Sequence, residues 1–141
     1  MRDAVVCERV QTSAGAEPAF VFPARRGRMR LALTPTRVVA TSALGTVELP
    51  WKALGGVEID DGVLGIAASR PGAAVWTRGG WLGRLNRRAT PYEVSFKANA
   101  FAGEPEAIVR AIRRYQSDAR RRRSIGSADE HALLLRELGR A

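Results

Sequence analysis

The sequence predicts a mostly β domain: an antiparallel barrel or sandwich of about seven short strands, capped by a C-terminal amphipathic helix and followed by a short terminal helix. Three observations carry that prediction. Between Arg28 and Ile59, apolar and polar residues alternate through MRLALT, RVVATS, TVELPW and GGVEI, the pattern of strands with one buried face. Asp60-Asp61-Gly62 separates two such alternations and is a strong hairpin signal. Ile108, Ile112, Tyr115 and Ala119 recur at helical spacing between an acidic, proline-marked start and an arginine-rich end.

Residues 1–19 hold short apolar pairs broken by Gly15 and Pro18, and read as a flexible segment with at most one edge strand. Ala19 to Phe22 offers a brief strand stopped by Pro23. Met29, Leu31 and Leu33 share one strand face, and Val47, Leu49 and Trp51 another. WKALGG is too short for a helix and reads as a corner between strands. After the Asp-Gly turn, Leu64, Ile66 and Ala68 face inward; Arg70-Pro71-Gly72 turns the chain into AAVWT; YEVSFK closes the strand series with Tyr92, Val94 and Phe96 on the core side. Residues 20–123 thus form the domain.

The helix from Pro105 to Gln116 presents an apolar stripe that should cover one open end of the barrel, with Arg110, Arg113, Arg114 and Gln116 on the opposite face. Beyond it, residues 124–141 are a linker and a short helix, whose start is marked by the capping-box pair Ser127 and Glu130. Leu134, Leu135 and Leu138 follow at helical spacing. They either fold back onto the domain or offer a leucine face to a partner or to a second copy of the chain.

The 141 residues suffice for one domain with a core of its own. With Cys7 as the single cysteine, an intramolecular disulfide is impossible and a cysteine-based metal site is excluded. His131 is the only histidine, so Ser-His-Asp and Cys-His chemistry would have to run through it, and nothing nearby supports that role. There is no phosphate loop of the G-x-x-x-x-G-K type. Neither catalysis nor a cofactor is expected. No stretch approaches the ~20 apolar residues of a spanning helix, and Asp3 and Glu8 interrupt the place of a leader's apolar core, so a cytoplasmic chain is expected.

The formal charge is +9, carried almost entirely by arginine, Lys52 and Lys97 being the only lysines. A basic domain of this size favours polyanions, either anionic lipid headgroups or nucleic-acid phosphates. The segment VWTRGGWLGRLNRR, Val75 to Arg88, is the leading candidate for ligand binding. Its Trp81 and Leu82 would sit at a headgroup boundary while Arg78, Arg84, Arg87 and Arg88 meet lipid phosphates. Aromatics among arginines also suit single-stranded nucleic acid, the second reading. Secondary basic positions are Arg28 and Arg30, beside a turn, and the run Arg120, Arg121, Arg122 and Arg123, which otherwise serves the helix dipole.

LALTPTRVVATS (Leu31 to Ser42), VELPWKALGGVEI (Val47 to Ile59), PYEVSF and the helix from Pro105 to Gln116 together resemble bacterial PH-like domains of the actinobacterial type. The resemblance spans Phe20 to Arg122. It implies a seven-stranded barrel closed by a helix, and a non-enzymatic scaffold that binds anionic phospholipid or a protein partner, at the inner membrane face. Arg28-Met29-Arg30 is the nearest match to the basic pair with which such domains grip inositol phosphates.

Overall fold

The computed structural model describes residues 5–27, 29–42, 45–70, 72–78 and 92–139. Among these residues, nine strands form two antiparallel sheets, and three α-helices follow. The larger sheet has the order β1 (Val6–Thr12), β2 (Gly15–Pro23), β3 (Arg30–Leu33), β4 (Arg37–Ser42), β5 (Gly45–Pro50) and β8 (Val75–Arg78). The smaller has the order β6 (Leu54–Asp60), β7 (Val63–Ala68) and β9 (Val94–Lys97). Among the described residues the sheets do not close into one hydrogen-bonded barrel, although the isolated bridge Ala24–Phe101 ties the end of β2 to the segment after β9.

The expected corner is a 3-10 turn, Trp51–Ala53, which carries the chain from the large sheet to the small one. The expected hairpin joins β6 to β7, with Asp61 at φ 51° and Gly62 at φ 75°. Positive φ at both central residues is what the twist of paired strands asks of a two-residue turn.

The N-terminal segment corrects the sequence reading. Instead of a flexible tail, residues 6–12 pair with residues 15–21 in a hairpin, Val6 opposite Val21 through Thr12 opposite Gly15. Gly15 and Pro18, read as breakers, fit this geometry. Gly15 supplies φ 108° at the turn, and Pro18 lies ahead of Phe20, where pairing with β3 begins, so its missing N–H costs no ladder bond there.

One face of the large sheet joins the small sheet and helices in the main core, which contains Phe20, Phe22, Leu31, Leu33, Val47 and Leu49. Val10, Ala19, Val21, Ala32 and Val39 make a second buried cluster on the other face. The tip of the β1–β2 hairpin reaches across that face to β5, which lies three places beyond β2 in the sheet. There the Ser13 N–H and hydroxyl donate to Glu48 at 3.0 and 2.7 Å. Arg37 donates to the same carboxylate at 2.8 Å and lies 3.5 Å from Glu17, whose other bonds come from Thr12 and Thr36.

Helix α1 (Pro105–Gln116) buries Ile108, Ile112 and Tyr115, as its stripe predicts. It runs beside β6 and caps that sheet edge: Gln116 donates to the carbonyls of Leu54 and Gly55, and Arg113 to that of Val57. Ala119, expected to continue the stripe, begins a separate short helix, α2 (Ala119–Arg122), and is exposed. Extended Asp118 breaks the path, and its side chain accepts the N–H groups of Arg120 and Arg121 as an N-cap.

Helix α3 (Ala128–Leu138) starts at the expected capping residue, Ser127, which accepts from the Glu130 N–H. Its leucines are not a partner face. Leu134 and Leu138 are buried in the chain's own core and Leu135 packs against it, because α3 folds back over Phe20 and Tyr115. The residue left exposed is Leu133, at 46%.

Candidate functional site: an arginine-lined groove

The expected basic sites fall only in part within the described residues. Arg78 ends β8, opposite Thr46, while Trp81, Leu82, Arg84, Arg87 and Arg88 lie outside the described residues, as does Arg28. Arg30 pairs with Glu8 at 3.6 Å on the outer face of the large sheet. The run Arg120 to Arg123 divides by task. Arg122 donates to the Tyr115 carbonyl at 3.1 Å and stacks 5.6 Å from the Trp51 ring, so it staples α2 to the core. Arg121 faces Asp118 at 3.6 Å, and Arg120 and Arg123 are exposed.

What the fold assembles instead is a groove of about 410 Å³ where α1, α2 and α3 meet. Helix α1 contributes Arg110, Arg113 and Arg114; Ser117 and Asp118 lie at the break; α2 adds Arg121 and α3 adds Glu137. A second hollow of about 170 Å³ shares Arg114, Arg121 and Glu137 with it and extends to Arg136. The spacing 110, 113, 114 places three arginines on one helix face. The signal was legible, but it reads as a solvated face until α3 is brought back to form the opposite wall.

The arginines are held differently. Arg114 is anchored: its Nε and Nη2 donate to Glu130 Oε2 at 3.2 and 3.1 Å, and the Tyr115 hydroxyl donates to the same oxygen at 2.7 Å. Burial alone would lower the Arg114 pKa, but the bonds with Glu130 and Tyr115 outweigh it and hold the group above its ordinary value. Burial, then the bond to Glu130, pushes the Tyr115 phenol well up. Arg110 donates from Nη2 to the Leu138 carbonyl at 3.1 Å, capping the end of α3, while its buried Nε has no hydrogen-bond partner among the described residues.

At the rim the ion pairs are loose. Glu137 is 3.9 Å from Arg114 and half exposed, and Asp118 is 3.6 Å from Arg121. A guanidinium has five N–H donors, so the bonds from Arg110 and Arg113 to backbone carbonyls leave donors on both for a ligand. An anion is the ligand this lining suits.

No match was found among protein-family models, curated proteins or solved structures. The groove therefore has to be read from its own chemistry. His131, the only histidine, is engaged structurally: its Nε2 lies 3.0 Å from the Val5 carbonyl and its ring packs on Phe20. Among the described residues no helix is long and apolar enough to cross a membrane.

Proposed function

We propose that this chain is a non-catalytic, PH-like binding module that attaches to anionic lipid surfaces. The observation that carries the proposal is the convergence of Arg110, Arg113, Arg114 and Arg121 on one groove, against two loosely paired carboxylates at its rim. A concave site with several guanidinium groups takes a phosphate headgroup by charge-assisted hydrogen bonds. The net charge of +9 draws the protein to a negative surface, each basic residue near it contributing on the order of 1 kcal/mol. The segment with Trp81 and Leu82 supplies interfacial anchoring in this reading.

The test is sedimentation with vesicles of phosphatidylcholine alone and of phosphatidylcholine with phosphatidylglycerol or phosphatidic acid, at low and moderate salt. Binding to anionic vesicles that weakens with salt is the expected result, and Trp81→Ala measures the share of the loop. Absence of sedimentation on every composition rejects the lipid reading.

A further inference from the structure

The groove has a feature that a merely sticky basic surface lacks: its positive charge is already partly answered from within the chain. Glu130 holds Arg114 in a buried, short, two-bond geometry that an incoming ligand has little chance of replacing. Asp118 and Glu137 differ. Their pairs with Arg121 and Arg114 are 3.6 and 3.9 Å long, at partly exposed side chains, and exposed pairs of this kind are worth little. Asp118 is also fixed in place as the N-cap of α2, so its charge is a permanent part of the rim.

We infer that the groove selects a terminal phosphate, a phosphomonoester dianion, over a phosphodiester, and that Asp118 and Glu137 set this threshold. This rests on the lipid-surface reading above. A ligand must displace the two rim carboxylates from their arginines. A phosphodiester, with one negative charge and two free oxygens, offers Arg121 and Arg114 about what they already have. A phosphomonoester carries about −1.5 to −2 charge at pH 7 and three acceptor oxygens, enough to engage guanidiniums from more than one element at once. Arg110 and Arg113, each tied by a single backbone bond, retain donors for the remaining oxygens.

The experiment compares vesicles containing phosphatidic acid with vesicles containing phosphatidylglycerol, matched for surface charge, using the parent chain, Asp118→Asn and Arg121→Gln. Asparagine ranks with aspartate as an N-cap, so Asp118→Asn removes the charge while keeping the start of α2. The expected result is several-fold tighter binding to phosphatidic acid by the parent, tighter still in Asp118→Asn, and about tenfold weaker in Arg121→Gln, the order lost with one charge-assisted bond. Equal urea midpoints for parent and Arg121→Gln would show that the loss is one of recognition. Selectivity should fall below about pH 6, where the monoester loses its second charge.

Inorganic phosphate, added against chloride of equal ionic strength, separates the two sources of this chemistry. Displacement from phosphatidic acid would make the free phosphate group sufficient. Persistence of selective binding would assign the site to the lipid headgroup, and either result supports a monoester site. Equal binding to both lipids, with no effect of Asp118→Asn, overturns the selectivity while leaving an anionic-surface module standing. No binding to either lipid removes both.

Discussion

Tyr92 and Gly65 show how narrowly a single position can be set. A Cβ on Gly65 would lie 2.5 Å from the Tyr92 ring, so the ring packs directly on the glycine backbone, from where its hydroxyl donates to Glu58 at 2.7 Å. Gly65→Ala must push the ring aside and break that bond. We expect a loss of about 1–3 kcal/mol in urea unfolding, with less than additive loss in the double variant with Tyr92→Ala. The tyrosines also give a pH dependence. The bond to Glu58 is the main cause holding Tyr92 up to about 12, and burial with the bond to Glu130 raises Tyr115 further. A phenol whose folded pKa is raised binds its proton more tightly when folded than when unfolded. Its contribution is therefore fully present below pH ~10 and is lost as pH climbs through the folded values. Urea midpoints measured from pH 8 to 12 should fall above pH 10, with a shallower fall in Tyr115→Phe. A flat profile would show that these phenols are not coupled to folding.

Helix α3 is where packing decides between two readings of the same leucines. Because Leu134 is wholly buried, Leu134→Ala should cost about 2–5 kcal/mol by opening a cavity. Leu134→Asp should abolish cooperative unfolding, whereas a partner face would leave the melting of the isolated chain untouched. Gly126, which precedes the helix, sits at φ 92°, and a Cβ there would lie 2.5 Å from Pro18, so Gly126→Ala should lower the melting midpoint as well. The sequence announced β3 through β7 because alternation over short spans is local information, as are the Asp-Gly turn and the proline at the start of α1. It hid β1, where Cys7, Glu8 and Arg9 are all exposed and the only apolar residues of the buried face are Val6 and Val10, with Glu8 between them. It hid the break between α1 and Ala119, because Asp118, a mid-pattern residue by composition, acts as a cap for the next helix. The arginine face of α1 was legible, but its closure into a groove by α3 was not, for a related reason. Arg114 meets Glu130 across 16 positions, and Arg110 meets the Leu138 carbonyl across 28, relations that no local periodicity encodes.

On the scale of the whole molecule, charge excess and groove make separable predictions. Salt should weaken vesicle binding through the general +9 excess in every variant, while the choice of headgroup should follow the groove residues, Asp118, Glu137 and Arg121 among them. A variant that keeps the salt slope and loses the headgroup preference would locate selection in the groove. The two sheets and three helices are also joined near their extremities: His131 of α3 meets the Val5 carbonyl just before β1, across 126 positions. Under mechanical load this contact has a particular fate. Tension applied between residues 5 and 139 would enter α3 at its C-terminal end, straining the Arg110 bond to the Leu138 carbonyl before it reaches the contact between His131 and Val5. A tether pulled at the chain ends should therefore yield first at α3, opening the wall of the groove that carries Glu137 while the strands remain paired.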